Sequence, residues 1–62
     1  MDDYSRHFTV WRLQSAASGQ VIYRADVSYA GEMRDAHAYQ MPVWEGIARS
    51  KAEAMKAWET SQ

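Results

Sequence analysis

Side chains able to do chemistry near neutral pH are sparse in this 62-residue chain. His7 and His37 are the groups whose ordinary titration falls in that range. On neighbouring strands they would approach each other and, with Asp26 or Asp35, form a candidate metal site. Their spacing makes no H-x-x-x-H pair, and the chain has no cysteine. Neither a helical histidine pair nor a thiolate cage is therefore encoded, and a solvated or edge-strand histidine is expected. Ser5, Ser15, Ser18, Ser28 and Ser50 offer hydroxyls, yet none lies in a G-x-S-x-G elbow. Asp26/Asp35 and Glu45/Glu53 read as solvated carboxylates and helix ion pairs. Gly19, Gly31 and Gly46 are isolated, so no glycine-rich phosphate loop is present. Gly46, near an expected helix start, would leave free N–H groups for an anion. A sheet with one helix encloses no pocket deep enough to exclude water. The expectation is a non-catalytic protein with no cofactor and no metal.

Residue types suited to binding are more plentiful. Aromatic residues make up 13% of the chain and include three tryptophans, the type most enriched at interface hot spots together with Tyr and Arg. The candidate partner-binding residues are Trp11, Arg12, Ile22, Arg24, Tyr39, Met41 and Trp44. Trp44, Met55 and Trp58 also suit a core beneath a helix. Arg6, Arg12, Arg24 and Arg34 lie in segments that read as strands, and under one hairpin register Arg12 and Arg24 become cross-strand neighbours. An arginine face beside aromatics would suit phosphate contact and base stacking, so nucleic acid is the second partner class. Residues 4–42 set those four arginines against Asp26, Glu32 and Asp35, and the whole chain carries a formal charge of −1. That falls short of a basic footprint.

These side chains must be positioned by few elements. Val21, Tyr23, Ala25, Val27 and Tyr29 alternate with polar residues at a period of two, the mark of a half-buried strand. Phe8 to Leu13 reads as its antiparallel neighbour, with a turn at Ser18-Gly19. Ala30-Gly31 leads to a weaker strand over 33–41. Apolar residues at Val43, Trp44, Ile47, Ala48, Ala52, Met55 and Trp58 fall at helical spacing, and Glu45, Arg49 and Glu53 form an i,i+4 ladder. With Pro42 at the first helical position, these predict a helix over 43–60. Ser50-Lys51-Ala52-Glu53 offers another start, because an S-x-x-E capping box would begin the helix at Lys51 and leave 43–49 as a strand.

The predicted architecture is α+β: one small domain over 1–62, with strands at 6–16, 20–29 and 33–41 in a three-stranded antiparallel sheet. The C-terminal helix covers one face. The loop count decides which side of the first strand is buried. An even loop puts Phe8 and Val10 with Val27 and Tyr29, and a three-residue loop puts Trp11 and Leu13 with Tyr23 and Val27. Either choice leaves an aromatic and Ile22 on the uncovered face. The first or third strand would have one unpaired edge.

In outline, three antiparallel strands followed by a helix resemble the AP2-type plant domains and the arm-binding domains of some phage integrases, which use the sheet on DNA. Residues 46–57 are similar, at Gly46, Ser50, Lys51 and Ala54, to the G-x-G-x-S-K-K-x-A-K box of double-stranded RNA-binding domains. Ala52 stands where the second lysine belongs.

Folding such a chain yields roughly 90 kcal/mol from burial against roughly 90 kcal/mol of lost entropy, a margin thin enough that a partner would help. Residues 1–5 and 60–62 are expected to be frayed tails. MDDYSRH has no apolar run, and no stretch nears the ~20 apolar residues of a membrane span, so the expected location is cytoplasmic with no membrane partner. Together these features predict a small protein-binding module, a modulator or inhibitor of a larger protein of the phage or mobile-element accessory kind, with a homodimer as a variant.

Overall fold

The computed structural model describes residues 5–28 and 38–62. Strands β1 (Arg6–Ser15), β2 (Val21–Val27) and β3 (Ala38–Ala48) precede a single helix, α1 (Lys51–Thr60). The sheet order is β2-β1-β3, with β1 antiparallel to both neighbours. The predicted β-β-β-α class is therefore the observed one. The edges differ from expectation: β1 is the central strand, and β2 and β3 carry the open edges. Strand β1 suits the middle because it is apolar on both sides, with Phe8 and Val10 on one face and Trp11 and Leu13 on the other. The expected start of the third strand at 33, together with Tyr29, Gly31, Arg34, Asp35 and His37, lies outside the described residues.

Residues 16–20 lie between β1 and β2, and Ser15 faces Gln20 across a four-residue turn, 16–19. The Ser15 N–H donates to Gln20 O at 2.9 Å and the Gly19 N–H to Ser15 O at 2.8 Å, while Gly19 takes a positive φ of 78°. That angle strains any side chain with a Cβ. The loop count is even, so Phe8 pairs with Val27, Val10 with Ala25 and Arg12 with Tyr23. Phe8, Val10, Ala25, Ala48 and Ala54 form the buried cluster under α1, with Val27, Val43, Trp44, Met55 and Trp58 packed against it. Apart from Leu13 on the far face, these are the buried apolar residues among those described. Three of the six are alanines, which bury little area each. Phe8, Val10 and Leu13 contribute about 1.5–3 kcal/mol apiece.

The helix begins at Lys51, eight residues later than 43, and residues 43–48 belong to β3. The capping-box reading was the correct alternative. Ser50 Oγ accepts from the Glu53 N–H at 3.1 Å, and Glu53 Oε1 reaches back to the Arg49 N–H at 2.7 Å. A β-bulge lies at Val43, because Val10 faces Trp44 while Trp11 faces Pro42. Pro42, expected at a helix start, occupies an edge strand, where a missing N–H is tolerated. Ile47 is 65% exposed and Ala52 is also exposed, so neither belongs to the inward stripe; Ala54, Met55 and Trp58 do.

Gly46, no longer near a helix N-terminus, has a steric role. Trp44 shares its face, and a Cβ at Gly46 would come within 2.6 Å of the indole Cζ2. The ring lies over the strand because Gly46 leaves room. Gly46→Ala should therefore displace a packed tryptophan and lower stability by about 1–3 kcal/mol, measured as a shift in the denaturant midpoint at unchanged slope. Ser50→Ala removes the cap and should cost about 1 kcal/mol, read as lost helical ellipticity and an earlier thermal midpoint.

Candidate functional site

Sheet and helix differ in length, and the difference leaves a surface uncovered. At about 3.3 Å per residue the 11 residues of β3 span about 36 Å. The 10 residues of α1 span about 15 Å. The helix starts beside the Arg6–Ala48 end and runs back over the rows of Phe8 and Val10. It ends with Trp58 against Tyr23, ring centroids 4.5 Å apart and planes tilted by 32°. Beyond that contact no described element covers the helix-side face.

Two rows make up the bare end. Arg12 sits between Tyr23 on β2 and Met41 on β3, and Gln14 between Val21 and Tyr39. Tyr39 is 69% exposed, Met41 52% and Tyr23 40%. Arg12 is half-buried between its neighbours, and its Nη1 donates to Gln14 Oε1 at 3.3 Å. Among the described residues no carboxylate pairs with Arg12. The patch thus combines two tyrosines, a methionine and an arginine that no carboxylate among the described residues neutralises.

The seven candidate residues do not form one surface. Arg12, Tyr39 and Met41 meet in this patch. Trp44 shares their face but packs against the core. Trp11, Ile22 and Arg24 lie on the opposite face, where Trp11 pairs with Arg24 and Leu13 with Ile22. That face is less open than expected: Leu13 is only 2% exposed, Thr9 4%, and Trp11 is half-buried. Its exposed large apolar residues, Ile22 and Ile47, stand at opposite ends, divided by the rows of Thr9 and Trp11. Arg12 and Arg24 point to opposite sides, so the expected arginine face does not form from them. Tyr23 belongs to the patch and was missed as a binding residue, having been assigned to the strand's buried row. A helix starting at Lys51 would have been the signal, since so short a helix ends at Tyr23.

His7 lies on the central strand, not an edge. Its Nδ1 is 2.7 Å from Ser28 Oγ, which is also 2.5 Å from Thr9 Oγ1. On the other side, His7 Nε2 is 3.9 Å from Glu45 Oε1, with both side chains substantially exposed. These contacts clasp the end of β2 to β1 and hold the serine hydroxyl between two partners. Among the described residues no group of three His, Cys, Asp or Glu could hold a metal ion, and no helix is long and apolar enough to cross a membrane. No protein-family model matches this chain, and no curated protein or solved structure matches it either.

Proposed function

We propose that this chain is a small non-catalytic protein-binding module that acts as a modulator or inhibitor of a larger protein. It engages its partner through the bare end of the helix-side face. The observation that carries this reading is the grouping of Tyr23, Tyr39 and Met41, all more than a third exposed, around Arg12, with which no carboxylate among the described residues pairs. Aromatic residues, Met and Arg are the types enriched where interfaces are driest. The matching partner surface is apolar, with a carboxylate placed to meet the guanidinium at the patch centre. Pairing there would be desolvated on both sides, where a charged hydrogen bond contributes more than at an exposed rim. Phosphate binding draws less support, because Arg12 and Arg24 lie on opposite faces and the chain is slightly acidic.

Affinity capture with the tagged chain, from bacterial lysate divided into nuclease-treated and untreated halves, tests the reading. One stoichiometric protein surviving nuclease is the expected result. Tyr39→Ser combined with Met41→Ser should weaken its capture at least tenfold, since truncated hot spots cost about 2 kcal/mol each. Arg24→Ala, on the other face, should leave capture unchanged. Retention abolished by nuclease, or lost with Arg24→Ala and kept by the patch variant, would overturn the assignment.

A further inference from the structure

Among the described residues no strand pairs with the outer edge of β3, and the sequence of that edge is complementary to itself. Tyr39, Gln40, Met41 and Pro42 are all exposed, so neither side of this stretch nor its edge is packed away. Residues 38–44 contain no charged side chain. Edge strands in monomeric proteins are ordinarily guarded by charge, a bulge or proline. Strand β2 follows that rule with Arg24 at its midpoint and Asp26 beside it. In β3 the guards, Pro42, the bulge at Val43 and Glu45, stand at and beyond position 42. The stretch before them is unguarded.

Pro42 also fixes which way the backbone points. It has no N–H to give β1, so its nitrogen side faces outward, and residues two apart on a strand face the same way. Gln40 and Ala38 therefore present N–H and C=O groups to the open edge. We propose that two copies of this chain pair antiparallel through β3 about a two-fold axis at Gln40, forming one continuous six-stranded sheet. In that register Gln40 exchanges both main-chain hydrogen bonds with Gln40 of the second copy. The Ala38 N–H donates to the Pro42 carbonyl across the axis. Tyr39 falls opposite Met41 of the other copy, and Met41 opposite Tyr39, so the two most exposed apolar residues of the bare patch are joined in duplicate cross-strand pairs. The paired stretch 38–42 brings no charged side chain to the seam. The contact is isologous and closes on itself, so it ends at two copies. It does not rest on the protein-binding reading, although it would join the two bare patches into one surface.

The full chain, followed by sedimentation equilibrium over a range of concentrations, should show a mass twice the 7.1 kDa of one copy, dissociating on dilution. Gln40→Lys places two ammonium groups at the axis and should give the single-copy mass at concentrations where the parent chain is paired. Its circular dichroism should remain that of the diluted parent chain, because Gln40 is exposed. Gln40→Cys tests the register in a chain with no other thiol. Directly opposed residues in such a pair have Cα atoms about 5.5 Å apart, within disulfide range, so mild oxidation should give a covalent dimer. Glu59→Cys, exposed on α1, should not cross-link under the same conditions. A single-copy mass up to millimolar concentration would overturn the proposal. So would pairing unaffected by Gln40→Lys, an open-ended series of larger species, or equal cross-linking of the two cysteine variants.

Discussion

The fold depends on β1 being hydrogen-bonded along both edges and apolar on both faces. Phe8 and Val10 hold one side of the molecule and Leu13 the other, while the same backbone carries the ladders to β2 and β3. A strand in that position needs partners of opposite character. The hairpin supplies β2 locally, through a turn that Gly19 permits. Strand β3 comes from much farther along the chain and brings the bulge at Val43, Gly46 beneath its tryptophan, and Pro42, which only an open edge accommodates. The helix then packs onto the one face where small residues, Ala25, Ala48 and its own Ala54, allow close approach.

Helix length follows from two end effects. Ser50 and Glu53 fix the start by reciprocal bonds to the first turn, and Ser61 closes the other end, its N–H bonded to Ala57 O and Trp58 O at 3.1 Å. Between these limits α1 is less than half as long as β3. The shortfall exposes Tyr23, Tyr39 and Met41, side chains that a longer helix would have used as core. Core and candidate interface thus share a face, and the boundary between them is the contact of Trp58 with Tyr23.

Much of this architecture was legible in the residues. Alternation over Val21–Val27, the β-branched and aromatic run before Leu13, and a turn ending in Gly19 specify a hairpin, but its buried side depends on a loop count that only the register supplies. The helix start was obscured by a coincidence of periods. In a strand Trp44, Gly46 and Ala48 share a face, and the bulge turns Val43 toward the core as well, so the inward positions 43, 44 and 48 match a helical stripe. The ladder of Glu45, Arg49 and Glu53 coincided with helical spacing for a different reason, because Glu53 binds the Arg49 backbone while Glu45 belongs to β3. Strand order is likewise absent from hydropathy, since any strand apolar on both sides can be central. The candidate surface was half legible for the same reason: Arg12, Tyr39 and Met41 were recognised by type, but register alone separates them from Trp11, Ile22 and Arg24.

The ladder that sets Arg6 opposite Ala48 joins residues far apart in sequence. The β1–β2 hairpin closes through a short loop and can form early, whereas the second edge of β1 waits for a partner much farther along the chain. Contacts of such long range slow folding because the loop must close before burial rewards it. On the ribosome, the last stretch of β3 emerges well after both strands of the hairpin. Until then the nascent chain holds a two-stranded ribbon with Phe8 and Val10 unburied, a species too small to be stable by itself. The fold is therefore completed late, in the step that seats β3 and α1 together.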